Sequence, residues 1–300
     1  MRAPVRRPRN TYVLYLVPGA LAFLAVVVVP FGMNVYYSLT SWQGVGSPDW
    51  VGLDNYRALL KDSQFWESFR HSLSMVLAMA VIPTAIGLVL AAALFDFVAK
   101  HYGSRLASLL RACFYLPQVL PITIAGIVWS WILAPESGSL NALLRAVGLD
   151  SLQQDWLGDP KFALYSVMAV MVWVQLGFPV VIFMAGLQRI DPALQEAAEL
   201  DGASWWRRFW HVTLPQLRPE IYVVLLWCTI AALKVFGAVY VLTKGGPADA
   251  TNVPSYFSFT TFFEKTQVGY GSAIATVMTL LILVLALVGL RFQTRAEEER

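Results

Sequence analysis

Residues 72–95 read SLSMVLAMAVIPTAIGLVLAAALF, 24 consecutive positions without a charged side chain. The hydrocarbon core of a bilayer is about 30 Å thick, so about 20 apolar residues in a helix cross it. A helix also satisfies its own backbone hydrogen bonds where no water is present to do so. Five further runs meet or approach that length: 12–29, 112–134, 162–187, 221–242 and 273–290. Only 221–242 contains a charge, Lys234. Six transmembrane helices are therefore predicted, in an all-α integral membrane protein that forms a single membrane domain over residues 1–300.

Composition excludes the soluble alternative. The chain is 57% hydrophobic and 14% charged, whereas a water-facing domain carries about a quarter charged residues. Too little polar sequence remains to cover six apolar helices. Pro18, Pro83, Pro117, Pro121 and Pro179 fall inside the runs, which membrane helices tolerate where neighbours re-satisfy the freed carbonyls. Pro117 and Pro121 lie close enough to predict a bent third helix. Gly87 with Ala91 and Gly126 with Ser130 are small-residue pairs that suit close helix approach. The first run follows Arg2, Arg6, Arg7 and Arg9, but its 18 residues exceed the usual signal core, so it reads as a retained helix. Cys113 and Cys228 lie inside apolar runs and read as small core residues, without disulfide or metal spacing.

Lysine and arginine favour the cytoplasmic side of short loops. The N-terminus, second loop, fourth loop and C-terminus together hold 14 of them, with Arg300 the last; the opposite segments hold 7. Both termini are predicted cytoplasmic, with 188–220 the longest internal cytoplasmic loop and 30–71, 135–161 and 243–272 outside. Topology thus accounts for the net charge of +3 without a nucleic-acid partner.

The chain lacks an energy source of its own. It has no phosphate-binding G-x-x-x-x-G-K-[ST] loop and no Gly-Lys dipeptide. His71, His101 and His211 are isolated, and no G-x-S-x-G nucleophile motif occurs. No enzymatic activity, metal or cofactor is expected on this chain. Ion-coupled carriers place ionisable residues within their helices. Here Lys234 is the only charge well inside a run, with Asp96 just beyond the end of the second. A secondary carrier is the alternative reading, and the scarcity of intramembrane charge disfavours it. Lys234 reads equally as a path-lining or partner-pairing residue and as one that bonds nearby carbonyls.

The informative polar segment is DPALQEAAELDGAS, Asp191–Ser204, continuing to Leu214-Pro215. Asp191 followed by Pro192 is a helix start, and Gly202 is placed to end that helix in a left-handed turn. Ser204 is expected to cap a second helix carrying Trp205, Trp206, Phe209 and Trp210, which Pro215 stops. The result is a compact cytoplasmic knob; an interfacial hairpin with its tryptophans among headgroups is the other reading.

Glu196-Ala197-Ala198, three residues, Gly202, nine residues, Val212, one residue and Leu214-Pro215 resemble the EAA loop of binding-protein-dependent ABC importer permeases. Val212 stands where that pattern usually has isoleucine. Val51-Gly-Leu-Asp-Asn-Tyr56, Phe114-Tyr-Leu-Pro117 through Trp129, Gly138-Ser-Leu-Asn141 and Leu242-Thr-Lys-Gly-Gly-Pro247 resemble the carbohydrate-uptake branch, related to the maltose and glycerol-3-phosphate importer permeases. The resemblance implies a type I importer permease fold in a bacterial or archaeal plasma membrane. Implied partners are a second, related permease, two ATPase subunits carrying ATP and magnesium, and an extracytoplasmic solute-binding protein. It also implies that Glu196, Ala197, Ala198, Glu199, Asp201, Gly202, Ala203, Leu214 and Pro215 couple to the ATPase. A sugar-type solute is expected, for which Tyr115, Gln118, Trp129, Trp173, Gln175, Lys234 and Tyr240 are candidate path residues. Aromatic faces suit the C–H faces of sugars and amides suit their hydroxyls. Interface anchoring is the plain alternative for the aromatics.

Overall fold

The computed structural model describes residues 11–298; Arg2, Arg6, Arg7, Arg9 and Arg300, which enter the topology count, lie outside the described residues. Among the described residues, four helices are long and apolar enough to cross a membrane: α1 (Tyr15–Ser38), α2 (Ser63–Val98), α5 (Ala163–Leu187) and α10 (Val268–Glu298). Two bent pairs pass the same test, α3 (Ser104–Val119) with α4 (Ile122–Ile132), and α7 (Trp205–Gln216) with α8 (Arg218–Leu233). The helix α6 (Pro192–Leu200) precedes α7, and α9 (Gly237–Leu242) follows α8. No strand occurs among the described residues; an isolated bridge joins Thr40 and Trp50.

The structure refines some expectations and corrects others. The apolar run 72–95 is the middle of a longer helix, because the Asp62 carboxylate accepts from Gln64 N at 2.8 Å and Phe65 N at 3.4 Å and starts α2 early. The run 112–134 is two helices meeting at 97°, as its prolines predict: Leu120 and Pro121 are extended between α3 and α4. The run 221–242 is also broken, since α8 ends at Leu233 and helix resumes only at Gly237. Cys113 is exposed, which places it outside the core expected for it, whereas Cys228 is buried.

Prolines leave a regular mark on the long helices. Five-residue wide turns occupy Leu24–Val28, Leu77–Val81 and Phe209–Thr213. Pro30, Pro83 and Pro215 follow them. A proline ring collides with the carbonyl four residues earlier, here the central residue of each turn. Widening the helix there removes the collision without ending it. Two similar turns, Leu94–Val98 and Thr260–Glu264, have no such proline.

The chain forms two compact units. One joins the segment ending at Lys61 to Ser258–Val277; the other comprises Asp62–Phe257 and the segment from Met278. In the first, Asn34 Nδ2 donates to Thr276 Oγ1 at 2.9 Å, tying α1 to the start of α10. In the second, two apolar clusters lie along the helices. One gathers Met75 and Met79 of α2, Val167 and Val170 of α5, and Val239 and Val253. The other gathers Ala80, Leu88 and Ala91 of α2, Val180 and Phe183 of α5, and Val224 and Cys228 of α8. α2 passes from one to the other between Met79 and Ala80, within its first wide turn. Small residues permit the closest crossings, as expected: a Cβ on Gly87 would lie 2.6 Å from Pro179 Cβ, and one on Gly126 would lie 2.8 Å from Val241 Cγ1.

Candidate functional site

The knob between α5 and α8 is built by local chemistry. Asp191 accepts from Ala193 N at 3.0 Å and starts α6. Gly202 ends it at φ +74°, with Gly202 N bonded to Glu199 O and Ala203 N to Ala198 O, both at 3.0 Å. These bonds satisfy carbonyls that a helix end otherwise leaves open. Ser204 precedes α7 in extended backbone but makes no side-chain cap, so the expected serine cap is not what starts that helix. α7 ends at Gln216, one residue after Pro215, and the chain bends by 72° into α8.

Tertiary bonds fix the knob. Trp205 Nε1 donates to Asp96 Oδ2 at 3.0 Å, and its ring stacks on Phe209 at 5.4 Å between centroids. Arg208 pairs with Glu199 at 3.1 Å, and Gln195 Nε2 donates to Thr213 Oγ1 at 3.1 Å. Arg189 pairs with Glu220, whose residue is buried. These linkages hold α6 against α7 and the C-terminal end of α2. A cavity of about 300 Å³ opens beside them, lined in part by Asp96, Gln188, Gln195, Glu196 and Glu199. Glu196, Ala197, Asp201 and Gly202 are exposed, Ala198, Ala203, Leu214 and Pro215 half-buried, and Leu200 is 90% exposed. The knob thus presents carboxylates, small residues and one bare leucine on a rigid base.

Asp96 is a positioning residue that the sequence marks only as a charge at the end of an apolar run. A hydrogen bond to a charged group contributes about 1.5 kcal/mol. Asp96→Ala is expected to raise the rate of proteolytic nicking in 188–220 about ten-fold while leaving the unfolding temperature of the whole chain nearly unaltered. Equal nicking in both proteins overturns this role.

The candidate path residues fall into separate groups. Trp129 and Trp173 meet edge to face at 5.4 Å. Tyr240 stacks on Phe236 at 5.5 Å and lies 6.3 Å from Tyr256. Gln175 is buried and donates to Cys228 Sγ at 3.3 Å. Tyr115 is exposed; Gln118 is half-buried, with its Oε1 shielded and without a hydrogen-bond partner among the described residues. Lys234 is exposed at the break after α8, and among the described residues its ammonium has no hydrogen bond or ion pair. The broken spans also meet, for α4 packs on α9 through Gly126 against Val241 and Gly237 against Ile122. Irregular backbone at membrane depth is tolerated where protein buries it or where it lines a water-filled space.

The remaining motifs are staples. Asn55 Nδ2 donates to Ser38 O and Thr40 O, both at 2.8 Å, and Tyr56 Oη lies 2.6 Å from Ser38 Oγ. Asn141 donates to Pro135 O and Gln154 O and accepts from Trp156 Nε1 at 2.8 Å. Thr251 lies 2.7 Å from Thr243 Oγ1 and donates to Gly246 O. Each motif closes the loop that carries it.

Residues 84–298 match the family described as "Binding-protein-dependent transport system inner membrane component". The chain is 37% identical to the probable ABC transporter permease protein YurN of Bacillus subtilis, over 95% of this chain and 97% of that one. It is 33% identical to the diacetylchitobiose uptake system permease protein NgcF of Streptomyces coelicolor, over 93% and 81%. Among solved structures it resembles a chain of the bacterial alginate ABC transporter in complex with an alginate pentasaccharide-bound periplasmic protein. The TM-score is 0.81 at 23% identity, covering 95% of each chain.

Proposed function

This chain belongs to the family of binding-protein-dependent transport system inner membrane components, and from that premise we propose that it is a permease subunit of an ATP-driven importer for a sugar or sugar-derived solute. It is not itself the ATPase; hydrolysis takes place on a separate subunit. The observation that carries the reading is the Gly202-linked knob, rigid at its base and bare at its tip, where a partner groove would seat. Two copies of an ATPase carrying ATP and magnesium would close beneath it, and the motion of the knob would rock the membrane helices between inward-open and outward-open states.

Counting each bent pair as one span gives six crossings, with both termini and 188–220 cytoplasmic, in a bacterial or archaeal plasma membrane. A second, related permease would complete the path, and an extracytoplasmic solute-binding protein would deliver the solute. Relatives named for diacetylchitobiose and sulfoquinovosyl glycerol support the sugar class. Affinity purification of the tagged chain in mild detergent, followed by mass spectrometry, tests the assembly. Recovery of a P-loop ATPase and a second permease is expected; a chain that purifies alone and transports without ATP overturns it.

The solute path is placed at the helix breaks, with Lys234, Trp173 and Tyr240 exposed toward it and Trp129, Gln118 and Tyr115 beside them. Trp173→Ala and Tyr240→Ala are each expected to raise the KM for solute about ten-fold, the loss of one aromatic contact worth about 1.4 kcal/mol. Unaltered uptake kinetics in both would remove these residues from the path.

A further inference from the structure

The helix α7 has a side that neither the knob nor the apolar clusters use. Phe209 and Thr213 are buried, Trp205 stacks on Phe209, and Arg208 and Thr213 tie α7 to α6. Trp206, Arg207, Trp210 and His211 are left exposed, the two tryptophans at 56% each. Trp206 and Trp210 lie four apart, as do Arg207 and His211, so they form two adjoining rows on one side of the helix. Among the described residues neither of these indole N–H groups donates a hydrogen bond, and the Arg207 guanidinium forms no ion pair.

The same helix lies where the membrane-crossing helices end. α8 meets it at 72°, so with α8 crossing the bilayer α7 runs close to the membrane plane. α7 is not needed for the crossing, because the apolar run 221–242, of bilayer length, lies wholly beyond the bend. α2 ends at Val98, and its Phe97 ring lies 5.4 Å from that of Trp205. α5 ends at Leu187, which shares an apolar cluster with Phe209. Three helices thus place α7 at the depth where headgroups begin.

We infer that this side of α7 seats among anionic phospholipid headgroups, with Trp206 and Trp210 at the acyl boundary and Arg207 and His211 toward phosphate. Tryptophan suits that depth because its ring is apolar while its N–H needs a polar partner. Arg218, exposed and without an ion pair among the described residues, adds a second cation just past the bend. Charge separates this side from the tip of the knob, which exposes Glu196 and Asp201. An acidic tip suits a basic protein groove, whereas a basic edge bearing tryptophans suits an anionic lipid surface. The knob then gains a fixed depth, since Arg208 with Glu199 and Gln195 with Thr213 fasten α6 to a helix that lipid holds.

The test is photolabelling of the full chain in nanodiscs, with the subunits that purify with it, by phosphatidylglycerol carrying a diazirine beside its headgroup. Mass spectrometry is expected to find the label on 205–211, and about ten-fold less there from phosphatidylcholine carrying the same diazirine. Arg207→Glu should lower phosphatidylglycerol labelling of 205–211 about ten-fold while leaving the label elsewhere on the chain unaltered, which shows that the fold is intact. Arg145→Glu, an exposed reversal on another loop, should leave 205–211 labelled as in the wild type. Absence of label from 205–211 with either lipid overturns the inference. So does equal labelling by both lipids that Arg207→Glu does not lower, which reduces the contact to unselective burial. Labelling that appears only after the other subunits are stripped away also overturns it and gives this side to a protein partner. If no subunit purifies with the chain, the importer reading fails, and the labelling of the chain alone still decides the lipid contact.

Discussion

Gly202→Asp is expected to abolish ATP-driven uptake, by at least about 100-fold, while the chain still reaches the membrane and unfolds at a nearly unchanged temperature. Gly202 sits at φ +74°, and any side chain in this left-handed region costs about 1–2 kcal/mol. Nothing in the chain lies within 4 Å of the Cβ that would be added. The chain itself therefore accommodates the new carboxylate, and a loss of uptake would come from obstructing the partner proposed to seat on the knob. Glu196→Lys should act alike, since Glu196 is exposed beside the 300 Å³ cavity and reversing it removes an anion the partner groove would meet. Gly202→Ala separates the causes: it carries the backbone strain without the bulk or charge, and should retain most uptake. The measurement is solute uptake alongside recovery of the ATPase on purification. Normal uptake in both Gly202→Asp and Glu196→Lys would show that coupling does not pass through this knob.

The second large effect is on assembly of the chain. A Cβ on Gly177 would lie 2.5 Å from both Phe114 O and Tyr115 Cα. Those are backbone atoms of α3, so no rotamer change relieves the overlap, and α5 and α3 must separate. Valine there should destabilise by about 3 kcal/mol, the upper part of the usual overpacking range. Gly177→Val is expected to give little monodisperse protein in detergent. Trp206→Ala, an exposed position on α7, should leave the yield unaltered. Wild-type yield and unfolding temperature in Gly177→Val would show that this crossing is looser than its geometry implies.

What the sequence made legible follows the range of the forces involved. The apolar runs were plain because lipid demands some 20 apolar residues in succession, whatever the rest of the chain does. The knob was legible for a similar reason, since Asp191 and Gly202 act on backbone groups within a few residues of themselves. The bend at Pro117 and Pro121 is local too. Hidden features needed distant partners. Trp205 meets Asp96, 109 positions away, and Gln175 meets Cys228, 53 away. The break after Leu233 carries no proline, and nothing local in Lys234–Phe236 announces it. The early start of α2 lay in a capping aspartate outside the apolar run, where hydropathy carries no signal.

The wide turn at Leu77–Val81 fixes more than the path around Pro83. A turn of the ordinary pitch advances by about 100° per residue, so one residue more or less swings everything beyond it to another side. α2 presents Met75 and Met79 to one cluster and Leu88 and Ala91 to another, and the surplus in this turn sets the phase between the two. Removing a single residue from 77–81 would leave each half with its own stripe intact but aim one of them at lipid. The helix is in this sense two rulers joined with a fixed offset. The spacing from Met79 to Leu88 is as much a part of the protein's specification as the residues at either end.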